Sequence, residues 1–320
     1  MTSENGIHVV LGASGGTGNA VARALAERGH RVRAVNRAGD ADVPEGIERV
    51  AADVMKPDEL RRALEGTAVV YHCAQPEYTR WAEAFPPMNR AVVEATSGAE
   101  AKLVFTDNLY MYGSTDGAMA EDTPARPNSR KGRLRAQMAE ELLAAHRAGK
   151  LRVAISRASD YFGPRGLDSA TGDRLFEAAL KGKKVPWLGS LDQPHTVSYT
   201  EDMGRAIVIL GERDEADGQV WHLPAAEPVT GRAFVELVSK ALDRPLRPTV
   251  TTTGMVKLAG LFVPMIREVG DVMYQWTGPF VSDASKFQRE FGPFEVTPLD
   301  EAVRRTVAWY LERERAASTG

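Results

Sequence analysis

The chain has 320 residues, of which 43% are hydrophobic and 26% are charged, and its formal net charge is −3. This composition is typical of a globular protein, and it gives no reason to expect binding to nucleic acid or to a membrane. A single cysteine excludes an intrachain disulfide framework, and the six scattered histidines form no convincing metal-ligand pair. We therefore expect no metal. No apolar run is long enough to span a bilayer, and we expect a cytoplasmic protein.

The first predicted strand, residues 7–11, leads directly into a glycine-rich turn and a helix that runs to Gly29. Three glycines of the turn have the spacing G-x-x-G-x-x-G. Glycine leaves the backbone N–H groups accessible, and together with the positive end of the helix they can bind a pyrophosphate. In this context of strand, turn and helix, the spacing predicts a dinucleotide site. Its predicted residues are Gly12, Ser14, Gly15, Gly16, Thr17 and Gly18.

The second predicted strand, residues 31–35, is followed by Asn36 and Arg37. Sites that prefer NAD place a carboxylate here to hold the ribose 2′-OH, whereas an arginine pairs with the 2′-phosphate of NADP. We therefore predict NADP as the cofactor. NAD remains the alternative, because Asp40 and Asp42 are near in the sequence.

The third and fourth predicted strands cover residues 47–54 and 68–74. Asp53 lies near the end of the third, where it can accept a hydrogen bond from the adenine amino group, with Val54 beside the ring. The fourth is continuously apolar, as expected of a buried parallel strand, and ends at Cys73 and Ala74.

These features and several later ones resemble the extended short-chain dehydrogenases/reductases, the NAD-dependent epimerase/dehydratase family. The matching motifs are Gly12-x-x-Gly15-x-x-Gly18, Asp53-Val54, His72-Cys73-Ala74, Asn89, Tyr112-Gly113, Phe162-Gly163-Pro164-Arg165 and Asp283-Ala284-Ser285-Lys286. The resemblance implies an α/β fold, a doubly wound Rossmann-type parallel sheet with a smaller, interleaved C-terminal substrate lobe. Residues 1–165 are expected to form the dinucleotide-binding domain, to which 195–223 return. Residues 166–194 and 224–320 would form the lobe.

The catalytic segment departs from the family pattern. The family has a Ser or Thr at the end of the fifth strand and a Tyr-x-x-x-Lys pair on the next helix. Counting back from Tyr112 places Asn108 at the Ser/Thr position. Counting forward places Lys131 and Arg135 at the Tyr and Lys positions. The chain is therefore predicted to be an atypical member that lacks the pair.

The replacements retain part of the chemistry. Asn108 can donate a hydrogen bond to a substrate carbonyl. Arg135 can hold the ribose hydroxyls, but it stays charged and cannot donate a proton. Lys131 can act as an acid or base only if its pKa falls toward neutrality. Tyr110 is a further candidate proton donor, and the resemblance places Ser159 near the nicotinamide end of the cofactor, with Lys131 and Arg135 also against it.

Aromatic residues follow the fourth strand, where the family's substrate is overhung by a loop and helix. Tyr78 and Trp81 lie there, and Tyr161 follows the sixth strand. Tyr78 and Trp81, together with Phe85 on the same helix, suggest an apolar or ring-bearing small substrate, although ordinary helix packing explains them equally well. His195 either borders the pocket or has a structural role.

Two functions are compatible with these residues. The first is an NAD(P)-dependent oxidoreductase or epimerase-like enzyme with a rebuilt acid–base set. The second is a protein that binds the dinucleotide without net redox turnover, as a cyclase- or isomerase-like relative or a nucleotide sensor. Members of the family often dimerise through helices that flank the sheet, so the resemblance allows a homodimer of this chain.

Overall fold

The computed structural model describes residues 6–319, and a seven-stranded sheet forms its centre. The strands of this sheet are β1 (Ile7–Leu11), β2 (Val32–Asn36), β3 (Glu48–Ala51), β4 (Thr67–His72), β5 (Lys102–Asp107), β6 (Arg152–Arg157) and β11 (Gln219–His222). Their order is β11-β6-β5-β4-β1-β2-β3, and every neighbouring pair is parallel. The chain thus reverses its direction of winding between β1 and β4. A crevice opens at the carboxyl ends of strands at such a point, which is where α/β proteins bind ligands.

Helices cover both faces of the sheet. The first seven are α1 (Gly16–Glu27), α2 (Pro57–Ala63), α3 (Trp81–Gly98), α4 (Arg130–Arg147), α5 (Asp173–Leu180), α6 (Thr200–Glu212) and α7 (Gly231–Ala241). One apolar core contains side chains of α1 and α6, and another contains side chains of α2, α3 and α4. The centre of the sheet is therefore buried on both sides, which explains why a central strand such as β4 is largely apolar, whereas the edge strand β3 is exposed and partly charged.

A third apolar core is formed largely by α5, α7 and the last helix. The short strands are β7 (Tyr161–Phe162), β8 (Val185–Leu188), β9 (Pro194–His195), β10 (Ser198–Tyr199), β12 (Val229–Thr230) and β13 (Pro248–Thr251). The later helices are α8 (Thr253–Ala259), α9 (Pro264–Gly270), α10 (Tyr274–Thr277), α11 (Ser285–Phe291) and α12 (Leu299–Thr319). Three single turns of 3₁₀-helix cover Tyr78–Arg80, Tyr110–Tyr112 and Asp214–Ala216.

The structure confirms the predicted fold class, a Rossmann-type parallel sheet with helices on both faces. It also brings residues 219–222 back to the sheet edge beside β6. One local prediction is wrong. The apolar residues 255–266 are predicted from their sequence to form one helix of the substrate lobe, but they form parts of two short helices, because the chain turns between Gly260 and Val263. The domain boundaries proposed from the sequence stay a prediction.

Candidate active site

The glycine turn between β1 and α1 is shaped by two close backbone contacts. Gly12 has φ +82°, and a Cβ there would come within 2.6 Å of the Ala74 backbone nitrogen. A Cβ on Gly18 would come within 2.3 Å of the Gly12 carbonyl oxygen. Both glycines are therefore required by the packing of the turn itself.

Gly15 has a different environment. It is exposed, its φ of −78° suits any residue, and a Cβ there would meet only the Gly12 carbonyl oxygen, at 3.6 Å. Internal packing does not demand a glycine here. Gly15 is the N-cap of α1, no side chain caps this helix end, and its first turn contains no acidic residue. Bare N–H groups at a positive helix end fit the pyrophosphate of a dinucleotide.

A second loop closes against this turn. A Cβ on Gly16 would lie 2.8 Å from the Gly166 Cα, so the loop after β7 packs directly on the start of α1. Arg165 of that loop forms an ion pair with Asp42, which follows β2. Sequence reasoning did not find this pair, because its two residues are 123 positions apart.

The predicted ribose edge lies at the carboxyl end of β2. The Asn36 Nδ2 group donates to the Ser14 hydroxyl at 2.5 Å and to an Asp40 carboxylate oxygen at 2.7 Å. Arg37 is exposed beside them. A cation and a carboxylate thus both stand at the place where a cofactor ribose is expected.

The other predicted cofactor residues follow the neighbouring strand ends. Val54 is buried, and the half-buried Asp53 accepts a hydrogen bond from the Met55 backbone N–H at 2.9 Å. Cys73 is half-buried, and burial raises the pKa of its thiol to about 12. Ser159 is buried, and its hydroxyl has no hydrogen-bond partner in residues 6–319. An unsatisfied buried hydroxyl at this edge fits a site that awaits a polar ligand.

Asn108 and Tyr110 lie just beyond β5. The Asn108 Oδ1 accepts a hydrogen bond from the Tyr110 backbone N–H at 3.1 Å. This bond lies at the start of the 3₁₀ turn Tyr110–Tyr112. The Tyr110 hydroxyl is hydrogen-bonded by the side chains of Tyr78 and Gln275, and burial raises the pKa of Tyr110 to about 12. Tyr110 therefore carries its proton at neutral pH.

Lys131 stands at the start of α4 with a side chain only 5% exposed. Its Nζ forms an ion pair with Glu268 of α9 and donates to the Tyr78 carbonyl oxygen at 2.9 Å. It also lies 4.1 Å from the centroid of the Tyr78 ring. The acidic partner comes from the C-terminal part of the chain, and no local sequence signal identified it.

Arg135 lies one helical turn further, with its guanidinium enclosed by aromatic rings. Its Cζ is 4.4 Å from the ring centroids of both Trp81 and Phe85. Its Nη1 lies 3.4 Å from the Asp107 carboxylate, and the Arg135 side chain is 1% exposed. In this arrangement the guanidinium faces the protein interior, so contact with a ribose requires a shift of the rings.

A second acidic group, Asp160, faces the tyrosines. Its carboxylate lies 3.0 Å from His195 Nε2, and the His195 ring stacks on Trp276 at 4.2 Å between centroids. Burial, together with the negative charge of Asp168 and, more weakly, of Asp160, raises the pKa of Tyr161. His195 thus pairs with a carboxylate that sequence reasoning missed, and Tyr161 directly follows that carboxylate in the chain.

The chain matches the profile of a known protein family. The profile of the NAD dependent epimerase/dehydratase family matches residues 8–223, which cover the sheet and the candidate site. The chain belongs to this family. It is therefore an epimerase/dehydratase-family enzyme.

The relatives of this enzyme are named for different reactions. It is 26% identical to a dTDP-glucose 4,6-dehydratase of Streptomyces griseus over 217 residues, 68% of this chain and 60% of that one. It is 25% identical to the decarboxylating sterol-4-alpha-carboxylate 3-dehydrogenase of Mus musculus, over 93% of this chain and 89% of that one. The fold matches a dTDP-glucose 4,6-dehydratase from Bacillus anthracis, solved in complex with NAD, at TM-score 0.79 and 18% identity, over 97% of each chain.

In this enzyme, most of the predicted site residues fall into two groups. The glycine turn, the β2 edge and Ser159 border the crevice. Tyr78, Trp81, Tyr110, Lys131 and Arg135 form one aromatic and charged cluster beyond β5. In residues 6–319, no helix is long and apolar enough to cross a membrane, and no cluster of three His, Cys, Asp or Glu is arranged for a metal ion.

Proposed function

We propose that this enzyme uses NADP to oxidise or reduce a hydroxyl or carbonyl group of a small, ring-bearing substrate. The observation that carries the proposal is the convergence of Tyr110, Tyr78 and Lys131 beyond β5, next to the crevice. A phenolic acid beside a buried ammonium group is the chemical pair needed to move a proton at a carbonyl oxygen.

The cofactor part of the proposal rests on the turn and on the β2 edge. The bare Gly15 and the uncapped start of α1 would receive the pyrophosphate. Arg37 would pair with a 2′-phosphate, since β2 ends in an amide and not in a carboxylate. Asp53 and Val54 would border the adenine, and Cys73, Ala74 and Ser159 the remainder. When bound, the dinucleotide supplies or accepts the hydride.

The chain's own residues would handle the proton. In the reducing direction, the Asn108 amide donates a hydrogen bond to the carbonyl oxygen, and the Tyr110 hydroxyl gives that oxygen its proton. The product is an alcohol, and Tyr110 is left as a phenolate. The pKa of Tyr110 is raised by burial, so the cation of Lys131 near the tyrosine pair would lower the cost of this charge. Tyr78, which is hydrogen-bonded to Tyr110 and partly exposed, would pass its proton to the Tyr110 phenolate and take up a replacement proton from solvent.

The substrate class is inferred from the rings that border this cluster. Tyr78 and Trp81 pack edge to face at 5.0 Å between centroids, and Trp81 lies 6.3 Å from Tyr110. Such walls favour an apolar ring over a highly hydrated sugar. The named activity of the mouse relative, on a sterol carboxylate, supports the same class.

The test is cofactor binding followed by turnover. NADPH fluorescence should rise on mixing with the protein, and a panel of cyclic ketones should then reveal NADPH consumption. Tyr110→Phe should lower kcat by roughly a hundredfold and leave NADPH binding unchanged. Tyr112→Phe is the matched control from the same turn. Its hydroxyl contacts Arg157 and His222 in the interior, so this variant should lose stability but keep its kcat.

One observation favours a second function, binding of the dinucleotide without redox turnover. Lys131 is held by Glu268, and Arg135 is enclosed between Trp81 and Phe85. Tight NADPH binding with no consumption on any carbonyl, in both the natural enzyme and a Glu268→Gln variant, would favour that function and contradict the first.

A further inference from the structure

Helices α8 and α9 form a projection that we name the apolar hairpin, residues 253–270. Six large hydrophobic side chains on it are exposed, and Phe262 is the most exposed at 80%. The six are Met255, Leu258, Leu261, Phe262, Val263 and Met265. With Pro264, they make residues 261–265 a run of five exposed apolar positions. Such a run costs solubility and is not expected without a function.

Three backbone N–H groups at the tip of the apolar hairpin are hydrogen-bonded within the hairpin itself. The N–H groups of Leu261, Phe262 and Val263 donate to the carbonyl oxygens of Leu258 and Ala259, at 3.0–3.3 Å. The Arg267 Nε donates to the Gly260 carbonyl at 3.1 Å. The tip can therefore leave water without stranding these N–H groups, which is the condition for entering a lipid phase.

The basic residues of the apolar hairpin are exposed, whereas its acidic residue faces the protein body. Lys257 and Arg267 are exposed. The only acidic residue of the segment, Glu268, is turned to the protein body, where it pairs with Lys131 and Arg130. An exposed apolar tip with basic side chains beside it is complementary to an anionic bilayer surface.

We propose that the apolar hairpin docks this protein on an anionic lipid surface, with residues 261–265 inserted at the boundary between headgroups and acyl chains. A second copy of the chain is a less suitable occupant. A symmetric contact through the same tip would bring Lys257 and Arg267 toward their own copies, and like charges would repel. The docking requires no membrane-spanning helix. Because α9 also carries Glu268, it would place the lipid surface beside the aromatic cluster that contains Lys131.

The experiment is flotation of the full-length protein with phosphatidylcholine vesicles, with and without phosphatidylglycerol. The natural protein should float with the anionic vesicles. The double variant Leu261→Ser/Phe262→Ser should lose roughly tenfold or more of its vesicle partition. Lys257→Glu should lose roughly fivefold, and only on anionic vesicles. Met55→Ser is the matched control, because Met55 is 42% exposed but lies outside the apolar hairpin, and it should float normally.

Three outcomes would overturn the proposal. The natural protein could fail to float with either vesicle, or Met55→Ser could lose as much binding as the double variant. Alternatively, sedimentation without lipid could show a dimer that the double variant converts to a monomer, in which case the occupant is a second copy. Thermal unfolding of each variant verifies that its fold is intact, and Phe262→Ser alone replaces the double variant if that one unfolds.

Discussion

Arg135 and Asp107 form an ion pair inside the protein, with 3.4 Å between Nη1 and Oδ1 and with side chains that are 1% and 0% exposed. Asp107 also accepts from Arg157 Nε at 3.1 Å. Arg157 in turn donates to the Tyr112 hydroxyl at 2.7 Å. Arg135 thus joins a buried polar network that ties α4 to β5 and β6.

Arg135→Leu should therefore reduce stability. The change leaves the Asp107 carboxylate with a single cationic partner in the interior, at a cost of about 3 kcal/mol. Arg133→Leu is the matched control, since Arg133 is exposed on the same helix and its loss should change stability by less than ~0.5 kcal/mol. Urea unfolding measures both. Equal stabilities of the two variants would show that the buried pair contributes nothing.

The glycine turn allows a test that separates binding from folding. Gly15→Val should fold normally but lose NADPH binding, because φ at Gly15 is −78° and its Cβ would point into the space assigned to the pyrophosphate. Gly12→Val should fold poorly, because φ there is +82° and Ala74 lies within 2.6 Å of the new Cβ. Thermal unfolding and NADPH fluorescence together measure the two effects. Undiminished NADPH affinity in Gly15→Val would remove the turn from the binding site.

The choice between NADP and NAD is predicted to depend on two opposed charges. Arg37→Asp should weaken NADPH binding by roughly tenfold or more and leave NADH binding little changed, because a 2′-phosphate would lose its cation. Asp40→Asn should act in the opposite direction, because it removes the carboxylate hydrogen-bonded to Asn36. Titration of all three proteins with both cofactors measures the difference. Parallel losses of NADPH and NADH affinity in Arg37→Asp would contradict the NADP preference.

His72 is predicted to make the fold sensitive to acid. Burial, with the charge of Arg135, lowers the pKa of His72 from 6.5 to about 3. As the pH falls below 6.5 the unfolded chain gains a proton at this residue and the folded chain does not, so stability falls from pH 6.5 toward pH 3. Between pH 7.5 and 5.5 the loss from this residue is about 1.4 kcal/mol.

His72→Phe should remove that part of the pH dependence while keeping an aromatic ring beside Phe105, which lies 5.4 Å away between centroids. Chemical unfolding at the two pH values measures the change in slope, which does not depend on any offset from altered packing. An unchanged slope in His72→Phe would assign the acid sensitivity to other groups, such as His8 and His222, whose pKa values are also lowered by burial.

The amino-acid sequence determined the parts of this protein that are governed by local physics. Continuous apolar runs indicated buried parallel strands, and the glycine spacing located the turn before α1. The same local register predicts that Lys131 and Arg135 stand at the family's Tyr and Lys positions. The apolar residues 261–263 were assigned to one helix, because local periodicity does not reveal a turn that is stabilised by its own backbone hydrogen bonds.

The tertiary structure alone decided which partners those residues have. Glu268 reaches Lys131 from 137 positions away, and Asp107 holds Arg135 across the sheet edge. The Asp160 carboxylate lies 3.0 Å from His195 Nε2 only because the fold brings together two residues that are 35 positions apart. Such pairings are set by the packing of whole elements, and no pattern of neighbouring residues encodes which carboxylate will meet which cation. The sequence therefore predicts where the site lies, whereas the acid–base chemistry proposed for it depends on contacts that exist only in the folded protein.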